Sequence, residues 1–366
     1  MNPIDLRHVL HMNPELAYQE YQTQKILKDW IAKLGYQRIY EVSTGLVIEQ
    51  KDFDDEEFVL VRADMDALPI EEKTGWRYSS HNSNMHACGH DFHMATLFGL
   101  MKKVVERKTK GNFLFVFQPA EETGGGSLRI IEFLEKKDYE VKAAVAMHVT
   151  DEYNSGVIAS RAGKLFASSC EVDLSFKGKA AHAAFNHLGK DAIRSAVLFL
   201  NEIYNKNWGK NNLVWFGKIN GGNARNIVAD HLELEGTIRS PDLRESEDIF
   251  EILEKISKRI EKSTGVEIQI AKGSVYRQVE VNEELLKILK DSVEELGFPF
   301  LECEMKLTGE DFGYFSNKYP SLMFWFGCRK DSKAYGLHNP KFLPDDDLIE
   351  PATEIFHRLL LKLTKE

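Results

Sequence analysis

Within Met85-His86-Ala87-Cys88-Gly89-His90-Asp91 a thiol and an imidazole stand two positions apart with a carboxylate beside them, in a chain that has only four cysteines. Cysteine and histidine are preferred zinc donors, and the glycine between them lets the backbone turn sharply enough for both to converge on one point. Nickel, cobalt and manganese remain open on ligand type alone. Taken by itself, the spacing fits a buried cysteine beside a capping His and Asp equally well. Downstream, Gln118-Pro119-Ala120-Glu121-Glu122 supplies two adjacent carboxylates. One of them could bind a metal while the other faces a substrate, taking a proton from water and returning it to a leaving amine. Paired glutamates are common on surfaces, and it is the company of the first motif that gives this pair a chemical meaning.

Asp64 and Asp66 directly follow the apolar run 58–63. A histidine that binds metal needs a carboxylate behind it to fix its tautomer; Asp64 is the candidate, with Asp66 anchoring the turn that leads to Pro69. His148 follows the run 143–147, and His338 lies in the polar segment Tyr335-Gly336-Leu337-His338-Asn339-Pro340. A single histidine in either place reads, in isolation, as a structural residue. His182 sits in Gly178-Lys179-Ala180-Ala181-His182-Ala183-Ala184, where small neighbours would let a ligand or partner approach closely.

Such residues need elements to position them. The short apolar runs 58–61, 113–117, 143–147 and 322–326 predict strands buried on both faces. Helical periodicity over 22–34, 92–105 and 128–134 lies between several of them, which makes an α/β sheet. Ligands gather beyond the carboxyl ends of strands in such sheets, and Asp64, Glu121, Glu122 and His148 all stand just after these runs. The rhythm then changes. Strict alternation over 170–176 predicts a strand with one wet face, followed by a helix over 192–204, strands near 213–219 and 231–238, a helix through 249–260 and a strand at 266–270. That βαββαβ order predicts a ferredoxin-like unit inserted into the larger sheet domain, with residues 166–274 as the insert and 1–165 plus 275–366 as the metal-binding domain.

At 366 residues, 43% hydrophobic and 28% charged, the composition suits a soluble protein of two domains. A net charge of −10 argues against a general affinity for nucleic acid, which rests on neutralising phosphates. The sequence has no basic start followed by an apolar segment and no uninterrupted run of about eighteen apolar residues. A cytoplasmic protein without a membrane span is the expectation. Cys88, Cys170, Cys303 and Cys328 are too scattered for a disulfide framework, so reduced thiols are expected. The acidic stretch 52–57 reads as a solvated turn.

These segments, with Arg62-Ala63-Asp64-Met65-Asp66-Ala67-Leu68-Pro69-Ile70, Met147-His148-Val149 and Gly236-Thr237-Ile238-Arg239, occur in an order that resembles the metallopeptidase superfamily of aminoacylases, hippurate hydrolases and related carboxypeptidases, in its amidohydrolase branch. The resemblance covers essentially the whole chain. It implies a mixed-sheet, metallopeptidase-like catalytic domain whose insert serves as lid and dimerisation domain. It further implies two divalent metal ions, zinc before manganese, nickel or cobalt, with Cys88 bridging and His90, Glu122, His148 and His338 as the other ligands. Glu121 would be the general base and Asp64 the aspartate behind the ligands. His182 would donate to the oxyanion from the lid of a neighbouring subunit in a homodimer. Apart from the resemblance, a guanidinium suits bidentate pairing, so Arg239 with Asn226 could hold a substrate carboxylate; a surface ion pair and a turn residue fit the two equally well.

Phe166-Ala167, the segment Met305-Lys306-Leu307-Thr308-Gly309-Glu310-Asp311-Phe312-Gly313-Tyr314, and Met323-Phe324-Trp325-Phe326-Gly327 with Tyr335 to His338 carry a closer resemblance, to deacetylases of an N-acetylated diamino acid on the acetylated route to lysine. A small N-acetylated amino acid is then the expected partner, with neither nucleic acid nor membrane. A broader N-acyl-amino-acid amidohydrolase, a dipeptide hydrolase and a catalytically silent binding protein are the rival readings. The last would be favoured by loss of a ligand or of Glu121, and none is lost. One departure concerns the lid, where Ala180-Ala181 replaces the usual two glycines and adds methyl groups near His182.

Overall fold

The apolar runs without alternation form the centre of an eight-stranded mixed sheet. In the computed structural model, which describes residues 1–54, 57–330 and 333–364, its strand order is Ile39–Val42, Gly45–Gln50, Phe113–Gln118, Glu57–Asp64, Glu140–Asn154, Ser321–Arg329, Ile158–Ser160 and Phe300–Glu302. The four strands from Phe113–Gln118 to Ser321–Arg329 run parallel, and the hairpin Ile39–Val42/Gly45–Gln50 adds an antiparallel edge. Every residue of Phe113–Gln118 is buried, as a strand covered on both faces requires. Of the acidic turn expected at 52–57, Asp55 and Glu56 lie outside the described residues.

The strand Glu140–Asn154 outruns its apolar segment, so that His148 lies inside it rather than at its end. Residues 148–154 are mostly polar, yet His148 to Thr150 and, past an irregularity, Asn154 pair in parallel with Trp325 to Arg329. Tertiary pairing overrides local character here. The helix His90–Glu106 is buried at every position from His90 to Met101 and packs against Pro3–Met12 and Ile349–Leu363. It is therefore a core helix, apolar nearly all round, whose first turn carries His90, the histidine expected to bind metal.

Two units divide the chain: Met1–Leu165, Val279–Met305 and Glu310–Glu366 form one, and Phe166–Gln278 with Lys306–Gly309 the other. The second is an antiparallel sheet in the order Glu267–Tyr276, Ser168–Lys177, His231–Ser240, Leu213–Gly221, with helices Ala192–Asn205 and Leu243–Thr264 completing the βαββαβ sequence. Val172, Leu174 and Phe176 join Phe199, Leu234 and Leu253 in its core, while Glu171 and Asp173 face water. The alternation thus placed the wet face correctly. Its last strand continues to Tyr276 instead of ending at 270, because an irregularity between Lys272 and Val275 breaks the alternation without ending the pairing. Compared with the expected edges 166–274, the unit extends to Gln278 and takes back residues 306–309.

Candidate metal centre

Gly89 has φ +83°, a conformation costly for any residue with a side chain, and a Cβ there would lie 2.4 Å from a methyl of Val149. It caps the helix His90–Glu106, leaving Cys88 just before the helix and His90 on its first turn. His90 Nδ1 donates to the Asp66 carbonyl at 2.8 Å, which orients the ring and turns Nε2 outward. That Nε2 is buried and has no hydrogen-bond partner. His148 is held in the same way, Nδ1 to the Val149 carbonyl at 2.8 Å, with Nε2 3.4 Å from Cys88 Sγ. Without an ion this is a thiol–imidazole hydrogen bond; two ligands at about 2.0–2.3 Å from one tetrahedral ion stand roughly 3.3–3.6 Å apart, so the same spacing also fits a shared cation.

Glu121 and Glu122 follow the strand Phe113–Gln118 through a tight turn. Ala120 takes a left-handed φ of +51°, a strain on the order of 1–3 kcal/mol for a residue with a Cβ. Asp66 secures the turn by accepting the Glu121 and Glu122 amides, each at 3.0 Å. This corrects the expectation that Asp66 merely anchors the turn towards Pro69. Glu122 Oε1 lies 3.4 Å from His338 Nε2 and 3.9 Å from His90 Nε2. His338, half exposed and itself at φ +62°, is placed by its amide bond to the Ala87 carbonyl and by Asp151, which accepts the Tyr335 and Gly336 amides.

Donor atoms therefore fall into two sets that share Cys88: with His90 and His148, and with Glu122 and His338. Glu121 also comes close to His90 and Glu122 on one side and to Glu310 and Asp311 on the other. A further set, Asp64 with His90 and His93, is closed by bonds already made. His93 Nδ1 bonds Asp64 at 2.6 Å, and its Nε2 accepts the Val149 amide at 2.9 Å. Asp64 accordingly orients His93 and pairs with Arg62 at 2.6 Å, while the group that fixes His90 is the Asp66 carbonyl. The expected role of Asp64 behind a metal-binding histidine is thus divided between two aspartates.

The electrostatics fit divalent cations. Burial, reinforced by Glu122, Glu121 and Asp64, holds the Cys88 thiol well above its usual range. Burial together with Glu310, Glu122 and Asp311 does the same to Glu121. Burial and the neighbouring His93 keep His148 far below the ordinary histidine value, so it is neutral, as a ligand must be. Against the effect of burial, Asp64, Asp66 and Glu122 push His90 up to about 10, so the cluster calls for positive charge, which a proton on His90 supplies until a cation takes its place; a bound ion would also deprotonate the thiol outright.

Behind Glu121 lies a buried network that the sequence reading did not assign. Arg62 pairs with Glu310 at 2.9 Å and Asp311 at 3.0 Å, and takes Gln118 Oε1 on its Nε at 2.9 Å. Gln118 in turn donates to Asp311, whose amide reaches Glu121 Oε1 at 3.4 Å. Burial drives Asp311 up to about 7 against the pull of Arg62. Arg62, Glu310 and Asp311 all lie in segments quoted for the resemblance. The signal was in hand, and only the sheet reveals that residues 62 and 310 meet. His93 was likewise within reach, three positions after His90 on one helical face.

His182, Asn226 and Arg239 belong to the second unit. His182 is exposed, accepts the Ala184 amide on Nδ1, and lies beside Asn226, whose carbonyl takes the Ala183 amide. Arg239 is half-buried at the far end of His231–Ser240, where its guanidinium donates to Thr237 Oγ1. Eight residues of strand separate His231 from Arg239, roughly 27 Å at 3.4 Å per residue. Asn226 and Arg239 of one chain therefore do not converge on one carboxylate, contrary to expectation.

The profile of peptidase family M20/M25/M40 matches residues 60–362. Among individual proteins, an N-acetyldiaminopimelate deacetylase of Geobacillus sp. (strain WCH70) is 37% identical over 356 residues, 95% of this chain and 94% of that protein. A Bacillus subtilis structure described as a dinuclear metal-binding peptidase of the M20 family superposes with TM-score 0.84 at 28% identity, covering 99% and 98% of the two chains. A putative aminohydrolase from methicillin-resistant Staphylococcus aureus gives TM-score 0.88 at 26% identity, covering 99% and 96%.

Proposed function

The chain belongs to peptidase family M20/M25/M40, and we propose that it is a metal-dependent amide hydrolase that releases acetate and a free diamino acid from N-acetyldiaminopimelate. The observation that carries the hydrolytic reading is the pair of donor sets meeting at Cys88 with the Glu121 carboxylate beside them. Two divalent cations held by Cys88, His90, Glu122, His148 and His338, zinc before manganese, nickel or cobalt, would polarise the scissile carbonyl and acidify an attacking water. Glu121 takes the proton of that water and returns it to the departing amine, which is the task of a general base that becomes a general acid. Asp66 holds the backbone of both glutamates, Asp64 with Arg62 steadies His93, and the Asp311 amide steadies Glu121.

The substrate assignment draws on the deacetylase relative and on the segments 305–314 and 323–327. It is tested by reconstituting the protein with zinc and assaying amine release from N-acetyldiaminopimelate, other N-acetyl amino acids, hippurate and dipeptides. The acetylated diamino acid is expected to show the highest kcat/KM. Hippurate or a dipeptide cleaved as efficiently would transfer the protein to the broader amidohydrolases or the dipeptidases.

We assign His182 as an oxyanion donor, and Asn226 and Arg239 as substrate ligands, in a homodimer. The separation of Asn226 from Arg239 within one chain supports this, since two copies can supply what one cannot. So do the exposed Leu213, Trp215 and Ile219 on the edge strand Leu213–Gly221 and Ile193 and Val197 on the adjoining helix. An edge strand with apolar flanks is a template for pairing with another copy. Light scattering is expected to give twice the chain mass for the parent and a monomer, with lowered activity, for Trp215→Glu. A parent that runs as a monomer at assay concentration removes the assignment. A cytoplasmic location goes with this reading; among the described residues no helix is long and apolar enough to cross a membrane.

A further inference from the structure

Glu20 immediately precedes the helix Tyr21–Ala32 and has none of its surface exposed. A carboxylate in such a place is costly unless its oxygens are satisfied. Its Oε1 accepts the Ala120 amide at 2.8 Å and its Oε2 the Thr44 hydroxyl at 2.5 Å. Thr44 lies in the turn between Ile39–Val42 and Gly45–Gln50, and Ala120 is the strained residue that immediately precedes Glu121. With Asp66 taking the amides of Glu121 and Glu122, three successive N–H groups, 120 to 122, end on two buried carboxylates from distant parts of the chain. Consecutive amides of a turn form a concavity for an anion, and here the protein fills it with its own side chains. The rest of the turn is packed as tightly: a Cβ on Gly126 would fall 1.6 Å from the Pro119 carbonyl oxygen.

We propose that Glu20 is a positioning residue for the active site, holding Ala120 in its left-handed conformation so that Glu121 is presented towards Asp311 and Glu122 towards His338. This rests on the reading of Glu121 as base and Glu122 as metal ligand. Glu20 touches neither side chain and acts through the backbone between them. Losing it frees the turn to relax out of its strained conformation, which moves both glutamates together. A shift of about an ångström in a catalytic group costs on the order of 100-fold in rate, and loss of a group that orients a ligand costs roughly 10–100-fold in metal affinity.

The test compares Glu20→Ala, Glu20→Gln and Glu20→Asp with the parent and with Glu122→Ala, in zinc-reconstituted protein. It reads kcat and KM, zinc affinity by chelator competition, the absorption spectrum of the cobalt form, and thermal melting. Glu20→Ala is expected to lower kcat about 100-fold with little change in KM, and to weaken the ion that Glu122→Ala loses. Glu20→Gln keeps an oxygen at the same reach and should stay close to the parent. Glu20→Asp keeps the charge but falls short of Ala120, and should fail with Glu20→Ala. A folded Glu20→Ala with parental kcat, zinc affinity and cobalt spectrum overturns the proposal, as does a variant whose melting falls while kcat stands. If Glu20→Ala does not fold, a Glu20→Asp protein equal to the parent overturns it. Should Glu122→Ala lose zinc while folded Glu20→Ala does not, the clamp alone is wrong; should Glu122→Ala itself keep its zinc, the metal-site reading falls and the clamp with it.

Discussion

Glu121→Gln is expected to lower kcat by between about a hundredfold and ten-thousandfold, the usual worth of a general base, while the protein keeps its metal. Glutamine has the same reach, and its carbonyl oxygen can still accept the Asp311 amide that meets Glu121 Oε1. What it cannot do is accept a proton from water. Glu121 lies outside the two donor sets that share Cys88, although it also stands close to His90 and Glu122; a glutamine oxygen keeps the same reach there, so zinc per chain, measured by elemental analysis, should match the parent. The backbone bond from residue 121 to Asp66 is indifferent to the substitution, so the turn itself should hold. A variant with parental zinc and near-parental kcat would remove Glu121 from proton transfer and leave that work to another group. A variant that loses zinc would mean instead that Glu121 is a ligand.

What could be read before the fold was known follows a physical division. Residues whose role depends on their own neighbours in sequence were legible: Cys88-Gly89-His90 announces a turn and two soft donors, and the alternation over 170–176 announces one wet face. Roles that depend on which distant backbone atom a side chain meets were not. Asp64 and Asp66 stand two apart at the same strand end, and sequence gives no means of telling which fixes His90; the answer lies in Asp66, whose backbone carbonyl takes the Nδ1 proton at 2.8 Å with its carboxylate 3.5 Å from the same nitrogen. Glu20 carries no local mark at all, because its partners lie at 44 and 120. His148 was placed at a strand end because it follows the apolar run 143–147, and only pairing with Trp325 to Arg329 extends the strand past it. Asn226 and Arg239 were joined by chemical type, and the length of one strand separates them.

Cys88→Ala should have the largest effect on metal content, because Cys88 alone belongs to both donor sets. On the proposed ligand set, removing His148 or His338 would take one ligand from one ion. Removing the Cys88 sulfur would take a donor from each set, and with it the negative charge that would let two cations lie close together. The loss should therefore exceed the roughly 10–100-fold that removal of an orienting group costs, and zinc per chain after dialysis should fall from near two towards zero, with activity lost in parallel. Unfolding is not the cause to be expected. Without metal the thiol is a small group whose pKa burial and the nearby carboxylates hold up, and its partner is His148 Nε2 at 3.4 Å, which alanine leaves open at a cost of about 1–3 kcal/mol. Metal-free Cys88→Ala should accordingly melt somewhat below the metal-free parent but still fold, and the further stabilisation that zinc confers on the parent by binding only the folded form should be missing. Two zinc ions retained per chain would place the bridge elsewhere. One retained would make Cys88 a terminal ligand, and comparison with Glu122→Ala would show to which ion it belongs.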